Sequence, residues 1–466
     1  MSILVKNIHT LVTMNNGLGI KNNVDILIKE NKISKIGKNI DVDPKENIKI
    51  IDATDKVVYP GFINTHHHFY QSLTRNIPAI QSVELFDWLM SLYEIWRELD
   101  EDFVKTSTQI ATGELLLSGC TTSSDHYYVF PRKASNRLID LEIDTVAEMG
   151  MRFYPNRGSM SCGKSQGGLP PDDVVQTPDE ILEDCDRVIS KYHDPDPFSM
   201  CRVILAPCSP FSVTTDLLEE TAKYARQKKV LLHTHLCETK DEESYCLDKH
   251  GKRPLAYMEN CGWVGDDVYY AHGIFFNDDE IKRLAETGTG VSHCPSSNCR
   301  LGSGVARVPD LLNAGVKVGL SVDGSASNDS GNYVKEMQLA LLIHRVTSGV
   351  SKMTHDDVLK ISTLGGAALL KTPEIGCLKE GMAADMAIFN LKRLEFAGAM
   401  SDPSAAMIFC GGGIRTDYTI VNGKVVVDNG ILVNADEEKL FYQSQEVTRR
   451  IIEAASKKTG INYYKK

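Results

Sequence analysis

Between residues 57 and 322 the chain carries eight short apolar runs, separated by stretches long enough to hold helices. The runs span 57–63, 120–124, 151–156, 202–206, 230–233, 268–271, 290–292 and 316–322. Strands that alternate with helices are expected to pair in parallel as βαβ units. Eight such units in succession point to an α/β chain whose centre, residues 58–375, is a (β/α)8 barrel. A barrel of this kind typically needs ~250 residues, so this span leaves room for loop insertions. Its parallel strands would deliver whatever follows them to one mouth.

The two ends read as β structure. Residues 3–13, 23–29 and 32–37 form short alternating or β-branched runs. Near the other end, runs at 418–421 and 424–427 flank Asn422-Gly423. That dipeptide supplies the two positive-φ positions of a type I′ hairpin turn. A lone hairpin is marginal in water and needs a partner sheet. The simplest arrangement is a small β-sandwich built from residues 1–57 and 376–466 around the barrel, with an amphipathic helix over 436–459. The longest irregular stretch, 158–173, is rich in Gly, Ser and Pro and is a candidate lid.

Composition removes several function classes. A net charge of −11 over 466 residues lacks the basic character of a nucleic-acid binder and repels anionic membranes, leaving a small molecule as the expected ligand. Residues 1–10 show neither the apolar core nor the cleavage site of a secretory signal. No stretch reaches the ~18 apolar residues of a spanning helix. The twelve cysteines are scattered without metal or redox spacing, as expected for reduced, buried thiols in a cytoplasmic protein.

The residues after each run are not random. His66, His67 and His68 follow the first run, Asp125 and His126 the second, Arg157 the third, and Pro207-Cys208 the fourth. His235 and Glu238 follow the fifth, which ends in His233; His272, His293 and Asp323 follow the last three. At a strand end, residues i and i+2 point the same way, so His66 and His68 can reach one ion. His235 and Asp323 can complete a nitrogen–oxygen site, suited to Zn²⁺ with Fe²⁺ or nickel as alternatives. The fourth run offers no lysine or carboxylate to bridge two ions, which favours a single one. Glu238 can protonate a ring nitrogen, Asp323 can take a proton from water and pass it to a leaving amine, and His272 can orient that water.

These segments resemble the amidohydrolase superfamily: Pro60-Gly-Phe-Ile-Asn-Thr-His-His-His68, His233-Thr-His-Leu-Cys-Glu238, Ala271-His272 and Ser321-Val-Asp323. The stretch 376–385 is similar to that family's return from barrel to sandwich, and 421–424 to its closing hairpin. Within the superfamily, segments 67–75, 124–131, 157–161, 167–172, 206–212 and 323–328 are most like the branch of 8-oxoguanine deaminases, isoxanthopterin deaminases and triazine hydrolases, the first above all. The resemblance implies His66, His68, His235 and Asp323 as metal ligands, with Glu238, His272 and Asp323 catalytic. It also implies that Gln71, His126 and Arg157 meet the substrate, and that the protein is a homo-oligomer. Cys237 departs from the alanine usual at its position, and the roles of Tyr70 and Tyr127 stay open.

Three functions follow. One is a zinc-dependent hydrolytic deaminase of a purine-like ring, 8-oxoguanine first, giving urate and ammonia; guanine or a pterin such as isoxanthopterin is the near alternative. A second is a triazine-type hydrolase that displaces chloride or an alkylamine. The third, a barrel kept as a scaffold, sits poorly with a chain in which every ligand position is filled.

Overall fold

The computed structural model describes residues 2–43, 47–135 and 137–465. Eight strands form the central sheet: Phe62–Asn64, Cys120–Tyr127, Arg152–Ser159, Ile204–Pro207, Leu231–Leu236, Val268–His272, Gly290–His293 and Val318–Leu320. They lie in chain order, and every neighbouring pair is parallel. The first and last strands meet as well. Thr65 N donates to Leu320 O at 3.3 Å, and Val322 N donates to the Asn64 side-chain oxygen at 2.9 Å. The eight-stranded barrel expected from the sequence is therefore present, nearly closed, with all C-terminal strand ends at one mouth.

The first run is not one strand. Lys56–Pro60 pairs with the terminal strands Ser2–Val12 and Met386–Asn390, and only Phe62–Asn64 enters the barrel. Gly61 is the crossing point. A Cβ there would lie 2.1 Å from the Thr121 hydroxyl oxygen, so only glycine fits the close approach.

Both ends of the chain join one nine-stranded sheet. It curls around a shared core that includes Ile3, Ile26, Ile51, Val58, Ile388 and Ile420. The hairpin expected at Asn422-Gly423 is formed, with φ of 47° and 77° at the two turn residues. The C-terminal helix, Glu437–Thr459, starts at the Asp436 cap and stops at Gly460 in the left-handed region. It lies on the barrel helix Glu101–Leu117, with Gln443 Nε2 donating to Thr106 Oγ1 at 3.0 Å. No helix of the described residues is long and apolar enough to cross a membrane.

The barrel interior is polar, which few short strand patterns announce. The strand Cys120–Tyr127 is buried throughout although its core is Thr-Thr-Ser-Ser-Asp-His. Its two serine hydroxyls are used: Asn64 Nδ2 reaches Ser123 Oγ at 3.0 Å, Asn156 Nδ2 reaches Ser124 Oγ at 2.7 Å, and Ser124 Oγ meets Tyr269 OH at 3.0 Å. Buried polar groups that are paired in this way hold a unique register.

One buried ion pair ties barrel to terminal sheet. Arg152, inside the third barrel strand, places Nη2 3.2 Å from Asp385 Oδ2 and 3.3 Å from Asn422 Oδ1. Asn422 N donates to Asp385 Oδ1 at 2.5 Å, and both partners of the ion pair are shielded from solvent. Replacing Asp385 by alanine strands a buried guanidinium, so the expected loss is about 3–5 kcal/mol of unfolding free energy. Denaturant titration checks this. A drop of less than about 1 kcal/mol would show that the two parts are held together elsewhere.

Candidate metal centre and cleft

Four of the residues singled out in the sequence converge at the barrel mouth. His68 Nε2 lies 3.1 Å from His235 Nε2 and 3.4 Å from Asp323 Oδ1. His66 Nε2 lies 3.3 Å from the same Asp323 oxygen. The ring nitrogens on the far side are occupied. His68 Nδ1 meets the His126 carbonyl at 2.7 Å, and His235 Nδ1 meets the Cys208 carbonyl at 2.6 Å. A carbonyl only accepts, so both Nδ1 atoms carry the proton and both Nε2 atoms present lone pairs. Burial lowers the pKa of each ring, that of His235 to about 4, so the imidazoles are neutral.

Lone pairs and a carboxylate crowded this closely repel unless a cation lies among them. The buried His66 Nε2 has no hydrogen-bond partner, and ligand atoms of His66, His68 and Asp323 all lie within 4.8 Å of one another. These residues fit a divalent ion. Each orienting carbonyl fixes a tautomer in the manner usual for metal-binding histidines.

Beside this cluster stand the proposed acid and its partner. Glu238 Oε2 is 3.5 Å from His272 Nε2. Burial, then the charge of Asp323, pushes the Glu238 carboxyl well above the carboxylate range, while burial lowers His272 to about 3. The cleft over them is walled by Leu85, Trp88, Tyr93, Tyr128 and Phe211, with Gln71 and Ser327 as polar members. Gln71 lines the cleft, and its buried Oε1 has no hydrogen-bond partner.

Two expected substrate contacts are not at the cleft wall. Arg157 is fully buried and points into the helix layer, where Nε donates to Asp184 at 2.5 Å and Nη2 to Gln176 at 2.8 Å. Its guanidinium also lies 4.0 Å from the centre of the Phe130 ring. The reason is strand phase: Asn156 faces the interior, so the next residue faces out. His126 faces the interior but lies beneath the cleft, stacked 4.8 Å from His235 with Nε2 on the Ala206 carbonyl at 2.7 Å. Tyr70 and Tyr127 pack behind the cleft, their rings 5.4 Å apart. His67 turns away against Phe69, its Nδ1 accepting from His68 N at 2.8 Å. The 158–173 stretch contributes no residue to the cleft wall; Ser161 N and Cys162 N instead bond the Ser212 carbonyl.

Two positioning residues escaped the sequence reading. Asn298 Nδ2 lies 2.9 Å from His272 Nδ1. Glu242 spans two backbone amides, accepting from Cys237 N and Glu238 N, each at 2.9 Å. The sequence held a signal for Glu242, because Thr239-x-x-Glu242 is a capping-box pattern. The Thr239 side chain does accept from Glu242 N, but the carboxylate reaches back to the turn that carries Glu238. That turn has left-handed backbone at Cys237, with φ of 55°, as do the ends of the sixth and eighth strands at His272 and Asp323, with φ of 74° and 61°. Such residues cost about 1–3 kcal/mol each and gather at functional sites.

A sequence model of the amidohydrolase family matches residues 57–426. The chain is 43% identical to an 8-oxoguanine deaminase of Pseudomonas aeruginosa, over 86% of this chain and 89% of that one. It is 37% identical to a hydroxydechloroatrazine ethylaminohydrolase of Pseudomonas sp., over 95% and 94%. The crystal structure of an atrazine chlorohydrolase from Arthrobacter aurescens, complexed with zinc, superposes with a TM-score of 0.91 at 32% identity, covering 96% of this chain and all of that one.

Replacing Glu242 by leucine leaves the Cys237 and Glu238 amides without their acceptor, at about 1–3 kcal/mol for each unsatisfied group. Turnover is expected to fall about 10-fold or more with metal content unchanged, because a displaced acid loses its hydrogen-bonding reach. Steady-state rates and metal analysis of the same preparation check this; unchanged turnover would reduce Glu242 to a helix cap.

Proposed function

The chain belongs to the amidohydrolase family, a hydrolase acting on C–N bonds, and from that premise we propose that it is a zinc-dependent deaminase of a flat, purine-like heterocycle, 8-oxoguanine first among them. The observation that carries this reading is the contrast between two carboxyls at one cleft. Burial and the nearby Asp323 charge push the Glu238 carboxyl well above the carboxylate range, whereas Asp323 stands inside the histidine cluster, 3.3 Å from His66 Nε2, where a bound cation would keep it ionised. Environments that push paired carboxyls apart assign acid and base.

His66, His68 and His235 through Nε2, and Asp323 through Oδ1, would hold one divalent ion. When bound there, zinc supplies a Lewis acid that lowers the pKa of water to about 7. The protein groups do the rest. The aromatic walls take the ring, and Gln71 offers an acceptor to a ring N–H. Glu238 gives its proton to the ring nitrogen beside the amine-bearing carbon. The water oxygen bonds to that carbon while Asp323 takes the water's proton. His272 orients the water. Asp323 then passes that proton to the amine, the C–N bond breaks and ammonia leaves, while the proton remaining on the added oxygen returns to the Glu238 carboxylate as the ring carbonyl forms.

The preference for 8-oxoguanine, giving urate, rests on the 43% relative that carries that activity in its name and spans most of both chains. Guanine and pterins such as isoxanthopterin present the same amine beside a ring nitrogen. A second reading keeps the site and changes the leaving group to chloride or an alkylamine. It is favoured by the 37% relative and the 0.91 superposition, both named for triazine chemistry. Asp323 favours an amine leaving group, which needs a proton to leave, over chloride, which does not.

Two measurements test this. Purified, zinc-loaded protein assayed on aminopurines, pterins and triazines is expected to release ammonia from 8-oxoguanine fastest; chloride release from chlorotriazines at a higher kcat/KM would transfer the assignment to the second reading. Glu238→Gln is expected to cut ammonia release about 10²–10⁴-fold while zinc stays bound. Near-normal turnover in that variant would remove Glu238 from the acid role.

A further inference from the structure

Of the three histidines in the proposed metal set, two take their tautomer from backbone carbonyls, but His66 has a different partner. Its Nδ1 lies 2.8 Å from Nε2 of His233, a residue to which the chemistry above gives no part. His233 is fully buried in the fifth barrel strand, two residues before His235. Its own Nδ1 lies 2.9 Å from the carbonyl of Tyr269 on the adjacent strand, and its ring stacks on the Tyr269 ring at 4.1 Å and 20°. Tyr269 is held in turn by Ser124, 3.0 Å from its hydroxyl.

We infer that His233 is a positioning residue that relays a tautomer from the Tyr269 carbonyl to His66, leaving His66 Nε2 bare toward the metal. A carbonyl accepts, so the Tyr269 contact places a proton on His233 Nδ1. In the neutral ring Nε2 is then an acceptor. The contact at 2.8 Å therefore needs a proton on His66 Nδ1, and a neutral His66 with its proton there presents a lone pair at Nε2. That lone pair faces Asp323 Oδ1 at 3.3 Å, an arrangement with room for a cation and no shared proton. Orienting partners of metal-binding histidines usually hold this much sway: their loss costs about 10–100-fold in metal affinity. The difference here is that a side chain stands where a carbonyl serves His68 and His235, so the relay can be removed by substitution.

The inference rests on the proposed ligand set, and the test separates the two. Full-length His233→Leu and His233→Gln are loaded with zinc, then titrated with a chelator; the cobalt-substituted forms are examined by visible absorption. Leucine fills the space without an acceptor, whereas the glutamine amide oxygen can accept from His66 Nδ1. The leucine variant is expected to release zinc about 10–100-fold more readily and to show an altered cobalt spectrum, with the glutamine variant close to the parent. A leucine variant that holds zinc as tightly as the parent, with the parent's spectrum, overturns the relay. Zinc binding that survives His66→Ala and His68→Ala overturns the ligand set itself. If leucine prevents folding, imidazole ¹⁵N spectroscopy of the parent zinc form decides: protons on Nδ1 of both His66 and His233 support the relay, and a proton on His233 Nε2 overturns it.

Discussion

The site depends on one recurrent interaction, an imidazole N–H held from behind by an acceptor on a neighbouring barrel strand. The His126 carbonyl holds His68, the Cys208 carbonyl holds His235, and the Tyr269 carbonyl holds His233. Each contact joins neighbouring strands or the residues just past their ends, so ring orientation is a consequence of barrel register. A one-residue slip in any of these pairings would turn the ring to the other face. The closed parallel sheet forbids that slip, and its polar interior reinforces it. Thr65, Ser292 and Ser321 form a run of hydroxyls across the first, seventh and eighth strand positions, at 2.6 and 2.8 Å.

Convergence of this kind is unfavourable by itself. Neutral ring nitrogens and an ionised carboxylate meet within 3.4 Å, and three residues nearby hold left-handed backbone. The rest of the fold offsets that cost. Behind the cleft, Tyr70 meets Trp96 and Tyr127 edge to face and keeps the segment after His68 in place. Asp125 accepts from Phe69 N at 2.5 Å and fixes the same segment from below. Glu242 does equivalent work at the fifth strand by gripping the turn that carries Glu238. Preorganisation at the mouth is thus a property of groups that never touch a ligand.

The same physical view explains how one scaffold serves relatives named for different leaving groups. The histidine–aspartate cluster and Glu238 are set by strand register, whereas the cleft wall comes from the helix Leu85–Trp96 and from loops after the strands. Loop residues such as Phe211 and Leu301 can change without disturbing the cluster, because no barrel pairing runs through them. Substrate choice therefore lies in the part of the chain that the barrel constrains least.

Much of this was legible in the sequence where the chemistry is local. The alternation of short apolar runs and helical stretches specified a parallel barrel. His66 and His68, two apart at a strand end, had to share a direction, and Asn422-Gly423 had to turn. The spacing from His235 to Glu238 put a carboxyl three residues beyond a histidine of the cluster. Other features were not legible because they depend on partners far away in the chain. Arg157 follows a strand as the other site residues do, but the phase of that strand sends it to Asp184, and only the register with Ser124 sets that phase. The break at Gly61 follows from contact with Thr121, and the part played by His233 follows from Tyr269 and His66. The sequence by itself determined which residue types reach the barrel mouth, since that needs only strand order and spacing. The tertiary structure decided which way each ring and guanidinium faces and what holds it there, since those depend on pairings between strands distant in sequence.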